Sequence, residues 1–365
     1  MNESKATRYQ RLTRRAQTAS RLLAGSGLAL FALTPLGQWS YDLWSATGGA
    51  ATLVLHLTTI TLSCEAAAFP VEVYRSRWVE RAYGRSAGGE LRARALAALL
   101  LLPVVWAVGG GLVLSVQFAG PAWWALAGVL MALALLVATR IAPWVLGRLG
   151  AVRPLNRPAL AARVTDVAVR AGVPVSAIQE WRTDDDSPAV AMVAGMGSGR
   201  RVLLATEVVR HWSDDEVTVV VAHELAHHVH HDLLRATLLN AGVICAGLLT
   251  SHAAVGWAGG GPGGAGVSDP AVLPLVGLIV WLVWWVATPL RHAQSRHQER
   301  RADRFALATT GRAEAFVTAI RRAGARHLAE ERPSAVTRWL FNRHPSVPER
   351  LALAEQYLKE GAGTR

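Results

Sequence analysis

The sequence predicts a mainly α-helical, polytopic membrane protein that carries a small α+β element outside the bilayer. Hydrophobic residues make up 52% of the 365-residue chain and the mean hydropathy is +0.25, which is too apolar for an ordinary soluble enzyme. The apolar residues are also gathered into blocks of about 20, which is the helix length that a bilayer demands. Length and clustering together favour several membrane spans over a large soluble core.

Six apolar blocks are predicted to span the membrane as helices. They are Leu22–Trp39, Ala51–Val71, Ala95–Phe118, Ala122–Leu146, Leu234–Trp257 and Ala271–Leu290. The first block is short and contains Pro35. The blocks divide the chain into a basic N-terminus (1–21), four spans (22–146) with a loop at 72–94, a soluble region (147–232), a membrane hairpin (233–290) and a helical C-terminal region (291–365).

Basic residues lie at alternate ends of these blocks. They precede the first block, fill the loop at 72–94 and follow the fourth block, whereas the loops around Asp42, Gly120 and 259–269 contain none. The positive-inside rule therefore predicts that both termini and the region 147–232 are cytoplasmic. Because the net charge of +12 follows the membrane rather than one domain, the lipid bilayer is the predicted partner and nucleic acid is not.

The ionisable residues His56, Glu65 and Arg140 lie inside the apolar blocks. Such groups are costly in a bilayer unless they face a polar interior. A water-filled chamber and mutual pairing within the helix bundle both account for them. Cys64 and Cys245 also lie in predicted spans, so we expect free thiols and no disulfide framework.

An HExxH motif at 223–227 carries the strongest chemical signal in the chain. On a helix, His223 and His227 leave the same face one turn apart, so both imidazoles can bind one metal ion. Glu224 lies between them, beside a metal-bound water rather than on the metal. This pattern is typical of zinc peptidases, in which the ion activates the water and polarises the carbonyl while the carboxylate moves the proton.

The surroundings of the motif support a helix and a third ligand. Ser213 and Glu216 form a predicted capping box, so this helix should begin directly after Ser213. Downstream, Glu299 and Asp303 form an ExxxD pair, in which Glu299 can complete the ligand set and Asp303 can orient a ligand histidine. Taken alone, this pair fits a solvated helix face that pairs with nearby arginines. Together with the HExxH motif it favours a metal site.

The soluble region predicts a helix at 158–172 and a short strand within 173–181. Two further segments, Ala189–Ala194 and Arg201–Ala205, flank a glycine-rich stretch and predict a β-hairpin. A phosphate cradle is disfavoured because no helix follows the glycines directly and no Lys-Ser/Thr pair closes them. An edge strand near the zinc helix can bind an extended substrate as an added strand. Its predicted residues are Ala189, Val190, Ala191 and Met192.

With these motifs the chain resembles the CAAX prenyl protease 1 family of integral-membrane zinc metalloproteases, which is related to the HtpX-type membrane proteases. The resemblance covers about residues 50–355. It rests on Phe69-Pro70, Tyr74-Arg75, Val79-Glu80-Arg81-Ala82-Tyr83-Gly84, Arg153-Pro154-Leu155, Ala171-Gly172-Val173-Pro174-Val175, Arg200-Arg201-Val202-Leu203-Leu204, His344-Pro345-Ser346 and Glu349-Arg350-Leu351.

The resemblance implies a gluzincin-type zinc metallopeptidase with one Zn²⁺ per chain. It implies His223, His227 and Glu299 as zinc ligands and Glu224 as general base. It further implies that Asp303 supports a ligand and that His344 steadies the tetrahedral intermediate or the substrate backbone. Arg350 is expected to support this site.

Two departures from the family pattern bear on the substrate. Where the family has an Asn-Ala pair at the head of the edge strand, this chain has Pro188-Ala189, so one hydrogen bond to the substrate is missing or comes from another group. Only four spans precede the soluble region, one fewer than in eukaryotic members. The expected substrate is a membrane-associated or lipid-modified polypeptide cleaved near the cytoplasmic face. An HtpX-like quality-control protease and a non-catalytic membrane scaffold are the alternatives.

Overall fold

A computed structural model describes residues 4–84, 88–149, 152–182, 190–195, 197–257, 268–326, 328–330 and 332–363. Residues 183–188, Ala189 at the head of the predicted edge strand, and most of the loop at 259–269 lie outside the described residues. The described residues are mostly helical and include one small sheet, which confirms the predicted fold class.

The helices follow one another along the chain with few strands between them. They are α1 (Lys5–Leu33), α2 (Leu36–Trp44), α3 (Gly49–Tyr74), α4 (Gly88–Ala119), α5 (Trp123–Leu149), α6 (Pro158–Arg170), α7 (Thr206–His211), α8 (Asp214–Val229), α9 (Asp232–Trp257), α10 (Leu273–Val286), α11 (Thr288–Thr310), α12 (Ala313–Arg326), α13 (Ala335–Phe341) and α14 (Val347–Gly363). The strands are β1 (Val152–Pro154), β2 (Ala177–Trp181), β3 (Ala191–Ala194) and β4 (Arg201–Ala205).

Three helical stretches of the described chain are long and apolar enough to cross a membrane: Gly49–Glu80, Arg94–Thr139 and Asp232–Trp257. The number rises to five if α1 with the segment Leu36–Thr47, and the segment Pro270–Val286 with α11, each count as one bent span. These apolar helices indicate an integral membrane protein.

The count of three to five spans differs from the six predicted segments because the apolar stretches join and bend. Arg94–Thr139 covers the predicted segment Ala95–Phe118 and most of Ala122–Leu146, which are joined by a 3₁₀ turn beginning at Gly120. Gly120 has a φ of 51°, a value that a right-handed helix does not continue through, so α4 and α5 are separate helices. The first predicted segment is broken between Leu33 and Leu36 with a bend of 77°, next to Pro35.

The residues group into two compact units. One, here called the apolar unit, comprises residues 11–135 and 238–288. Inside it, Trp123, Leu248 and Val276 belong to one buried apolar cluster. The ionisable residues predicted within its spans have polar partners. The side chain of His56 lies 2.9 Å from the Ser40 hydroxyl, and Glu65 accepts a hydrogen bond from Arg94 at 3.1 Å.

The other unit, here called the sheet unit, comprises residues 1–10, 136–237 and 289–365. Its four-stranded sheet has the order β1-β2-β4-β3. Strands β3 and β4 pair antiparallel around the glycines, which confirms the predicted hairpin, and β2 pairs parallel with β4. Among the described residues β3 has a partner strand on one side only, so it is an edge strand.

The core of the sheet unit surrounds α8, which packs against α6, α12 and β3. Leu160, Val202, Leu225 and Phe316 are buried in a single apolar cluster at this place. Burial of these side chains removes apolar surface from water, which is the main favourable contribution to folding. The core thereby fixes α8, the helix with the HExxH motif, against the sheet.

Both ends of α8 have a clear local cause. At its start the Ser213 hydroxyl accepts from the Glu216 amide and the Glu216 carboxylate accepts from the Ser213 amide, which confirms the predicted capping box. At its end His231 adopts a left-handed conformation with φ 53°, which a right-handed helix does not continue through. Helix α9 begins at the next residue, Asp232.

Candidate metal centre

The two histidines of the HExxH motif lie together on one face of α8. Their ring centroids are 5.0 Å apart and the ring planes cross at 89°. This is the geometry that four-residue spacing on a helix predicts. Both Nε2 atoms are turned toward α11, from which Glu299 extends between them.

Glu299 completes a group of three donors. One carboxylate oxygen, Oε2, lies 3.3 Å from His223 Nε2, and the other, Oε1, lies 3.7 Å from His227 Nε2. One donor atom from each of the three residues lies within 4.8 Å of the other two. The structure thus brings together the three side chains that the sequence predicts as metal ligands.

The donor set fits a zinc ion in chemistry and in spacing. Two imidazole nitrogens and a carboxylate are common zinc ligands, and tetrahedral bonds of about 2.0–2.2 Å place neighbouring ligand atoms about 3.3–3.6 Å apart. In the structure each histidine Nε2 faces a different oxygen of Glu299, at 3.3 and 3.7 Å, and one donor atom from each residue lies within 4.8 Å of the other two, which is close enough for the three side chains to share one ion. Three protein ligands leave one position open, as catalytic zinc sites require.

The electrostatics of the cluster also favour a cation. Burial by itself lowers the pKa of His223, but the carboxylates of Asp303 and Glu299 outweigh burial and raise that pKa to about 10. The two carboxylates therefore favour a positive charge at this place. A divalent cation supplies the same compensation with twice the charge.

Asp303 lies behind His223, on the side away from Glu299. Its Oδ1 is 2.9 Å from His223 Nδ1, and its side chain is fully buried. Arg350 donates from Nε to Asp303 Oδ2 at 2.8 Å and also contacts Oδ1. The structure therefore brings both predicted supporting residues to the site, with Asp303 on the histidine and Arg350 on Asp303.

A second carboxylate lies behind His227, and sequence reasoning missed it. Asp232 Oδ2 is 2.9 Å from His227 Nδ1, and Asp232 Oδ1 pairs with Arg301. The only trace of this contact in the sequence is that Asp232 lies five residues after His227. Five residues along a continuous helix do not bring two side chains to one face, so only the break at His231 makes this contact possible.

Glu224 and His344 are the predicted catalytic side chains. Burial raises the pKa of the Glu224 carboxyl above its ordinary value, and the nearby His223 and His227 oppose part of this shift. A raised pKa suits a carboxylate that takes up and returns a proton near neutral pH. The exposed side chain of His344 reaches the cluster from the C-terminal region, with Nδ1 2.9 Å from Glu299 Oε2.

The edge strand lies directly beside α8. The ring of His228 lies with Nε2 3.0 Å from the Val193 carbonyl oxygen of β3. His228 is partly buried and joins α8 to the edge strand. Ala191 and Met192 lie on β3, and the carbonyl of Val190 accepts a hydrogen bond from the Ala205 amide.

Comparison with known proteins gives a consistent result across sequence and fold. The family model described as peptidase family M48 matches residues 154–358, which is more than half of the chain. Those residues include the HExxH motif, Glu299 and His344.

Curated relatives match the same part of the chain at lower coverage. The uncharacterized metalloprotease YhfN of Bacillus subtilis is 27% identical over 209 residues, which cover 56% of this chain and 49% of YhfN. The chain thus spans about half the length of that relative. A protease HtpX homolog of Methylibium petroleiphilum is 28% identical over 216 residues, which cover 54% of this chain and 74% of the homolog.

Among solved structures, the crystal structure of S. mikatae Ste24p resembles this protein with a TM-score of 0.79. The likeness covers 96% of this chain and 88% of that chain, at 16% sequence identity. At this identity the likeness shows a shared fold. It extends over the apolar helices as well as over the residues that the family model matches.

Proposed function

Because the chain belongs to peptidase family M48, we propose that it is a membrane-embedded zinc metalloendopeptidase. Its substrates are membrane-associated or lipid-modified polypeptides, whose peptide bonds it hydrolyses near the cytoplasmic face. One observation carries the proposal: His223, His227 and Glu299 present three donor atoms within 4.8 Å of one another, and Glu224 stands on the same helix between the two histidines.

Different residues of the chain are proposed to bind the metal, to transfer the proton and to stabilise the developing negative charge. His223, His227 and Glu299 would hold a zinc ion, which would supply a Lewis acid and lower the pKa of a bound water. Glu224 accepts the proton of the attacking water and returns it to the leaving amine, a role for which its raised pKa is suited. His344 donates a hydrogen bond to the oxygen on which negative charge develops.

The substrate is proposed to bind as an added strand along β3. An edge strand offers backbone amides and carbonyls to an extended peptide, and β3 lies beside α8. His228 holds the Val193 carbonyl and so fixes the distance between this strand and the zinc helix. A peptide aligned on β3 is then presented to Glu224 in an extended conformation.

The test of this function separates metal binding from chemistry. In the purified protein, Glu224→Gln should retain about one zinc per chain, because Glu224 is not a ligand. Peptide hydrolysis should fall by about 10²–10⁴-fold, the usual contribution of a general base. Glu207→Gln, which changes a carboxylate on α7 that pairs with His211, is the matched control and should leave both properties unchanged.

Two results would contradict the proposal. Hydrolysis by Glu224→Gln at the wild-type rate would assign the base to another residue. Zinc content that is undiminished in both His227→Ala and Glu299→Ala would exclude the ligand set. To find the substrate, the membrane proteome of cells with the wild-type protein is compared with that of cells with Glu224→Gln, and peptides that accumulate only with the variant are sought.

The cytoplasmic position of the active site is proposed from the distribution of arginines. Arginine-rich segments flank the apolar blocks on one side only, as the positive-inside rule requires of the cytoplasmic side. A single cysteine introduced by Ser198→Cys, in a chain without Cys64 and Cys245, should react with an impermeant thiol reagent only after the cells are opened. Labelling of intact cells would reverse the orientation and the proposed substrate side.

A further inference from the structure

We propose that Asp232 is a positioning residue of the metal centre, which sets the ring orientation and the tautomer of His227. This inference rests on the proposed zinc site and adds to it a residue that the ligand set does not include. Asp232 is proposed to orient the ring of His227 in the same way that Asp303 orients the ring of His223. In both cases a carboxylate oxygen lies 2.9 Å from the Nδ1 atom of the ligand histidine.

Asp232 is fixed from three directions. It is 4% exposed, and its two carboxylate oxygens are divided between His227 and Arg301. Its backbone carbonyl accepts a hydrogen bond from Gln298 at 3.2 Å. Gln298 and Arg301 both belong to α11, the helix that also supplies the ligand Glu299. One helix therefore supplies a ligand and holds the residue that orients another ligand.

The contact has a direct chemical consequence for His227. In a neutral imidazole one nitrogen carries the proton and the other carries the lone pair. With a carboxylate against Nδ1, the proton lies on Nδ1 and the lone pair of Nε2 is left for the metal. Nε2 faces Glu299 Oε1 at 3.7 Å, so the lone pair points into the donor cluster.

Arg301 explains how a carboxylate can be buried at this place. An ionised carboxylate without a partner is expensive to remove from water, whereas one paired with a guanidinium is tolerated. The site thus contains two similar chains of contacts, His223 to Asp303 to Arg350 and His227 to Asp232 to Arg301. The second chain begins at the first residue of α9.

A purely structural role makes a different prediction. If Asp232 serves only to pair the start of α9 with α11, then loss of either partner of the ion pair should have the same effect. If Asp232 positions His227, removal of its carboxylate should weaken zinc binding more than removal of Arg301 does. Zinc affinity and the stability of the metal-free protein must therefore be measured separately.

The experiment measures zinc affinity of the purified full chain by competition with a chelator. Asp232→Asn should bind zinc about 10–100-fold more weakly than the wild type, as expected when the partner of a ligand histidine is altered. Arg301→Gln should lose less affinity. Asp215→Asn is the matched control, because Asp215 is an aspartate at the start of α8 that pairs with Arg163 and Arg312 on the surface, and its affinity should stay at the wild-type value.

A spectroscopic measurement reports on the ligand directly. In protein loaded with Co²⁺, Asp232→Asn should shift the visible absorption bands of the metal, whereas the spectrum of Asp215→Asn should coincide with that of the wild type. If Asp232→Asn does not fold, Asp232→Glu replaces it. The longer side chain keeps a charge for Arg301 but displaces the carboxylate from Nδ1, and it should weaken zinc binding by at least about tenfold.

The inference is overturned if Asp232→Asn, or Asp232→Glu in its place, binds zinc with wild-type affinity. It is also overturned if Arg301→Gln lowers zinc affinity by the same factor as Asp232→Asn. Failure of the proposed function gives a different result, since the wild-type protein itself would then bind no stoichiometric zinc. The two failures are therefore distinguishable in one set of measurements.

Discussion

The sheet unit and the apolar unit differ in where their large apolar side chains lie: inside the first unit and on the surface of the second. In the sheet unit, large apolar side chains such as Leu160 and Leu204 are fully buried. In the apolar unit, Leu100 is 61% exposed and Phe118 is 81% exposed, and many of their neighbours are exposed as well. An apolar exterior of this size is stable where the surrounding solvent is lipid, because lipid tails are as apolar as leucine. The exposure of apolar side chains thus indicates that lipid surrounds the apolar unit and water surrounds the sheet unit.

The largest effect expected from this difference is in the sheet unit. Leu160→Ala should lower the free energy of unfolding by about 2–5 kcal/mol, because it leaves a cavity in a packed core. Leu100→Ala should change it by less than about 0.5 kcal/mol. Denaturant unfolding of the detergent-purified protein measures both. A cost at Leu100 equal to that at Leu160 would mean that protein, not lipid, covers Leu100.

Substitution of an exposed apolar residue by arginine should distinguish lipid from water at that position more clearly than substitution by alanine does. Leu100 and Val169 have similar exposed fractions, 61% and 66%, but Leu100 lies on α4 of the apolar unit and Val169 on α6 of the sheet unit. Leu100→Arg should cost up to about 2.5–3.5 kcal/mol of membrane insertion, the value for arginine at the centre of a span, and somewhat less because Leu100 lies in the first third of the predicted span Ala95–Phe118. Val169→Arg should stay within about 0.5 kcal/mol of the wild type.

An insertion assay on α4 and an unfolding measurement on the purified protein give the two values. If both substitutions are tolerated, water reaches Leu100 and the comparison between the units fails at this position. If Val169→Arg is as costly as Leu100→Arg, then Val169 on α6 is covered by lipid or by another apolar surface and is not exposed to water.

The smallest expected effect concerns how helices begin. In the sheet unit the Ser213 side chain caps α8, whereas Gly48, the residue before α3 in the apolar unit, has no side chain to cap that helix. Ser213→Ala should therefore lower the free energy of unfolding by about 1 kcal/mol. Thr165→Ala, on an exposed position inside α6, is the control and should be neutral or slightly stabilising. Equal unfolding midpoints for Ser213→Ala and the wild type would show that packing alone sets the start of α8.

Local signals made the sheet unit predictable in its main parts. The capping box at Ser213 gave the start of α8, and the glycine-rich stretch gave the hairpin of β3 and β4. The helical spacing of the HExxH and ExxxD motifs was enough to predict the gathering of three donors. The family resemblance is likewise confirmed, since the chain belongs to peptidase family M48 and shares a fold with Ste24p.

The features that were missed depend on contacts without local signals. Strand β1 is three residues long and ends at Pro154, which an edge strand tolerates but which gives no strand pattern. The contact of Asp232 with His227 depends on the left-handed turn at His231, a conformation that a non-glycine residue rarely adopts. The breaks within the apolar segments follow from backbone angles at Gly120 and near Pro35, which hydropathy does not record.

The order of the donors along the chain has a consequence for synthesis. His223 and His227 precede α9 and α10, whereas Glu299 follows them. A nascent chain that ends within this helical hairpin holds two of the three donors, and it also lacks Arg301. The metal centre can therefore close only after α9, α10 and α11 have been made. A chain truncated before Glu299 lacks one of the three donors, so the proposed hydrolysis requires synthesis to proceed through α11.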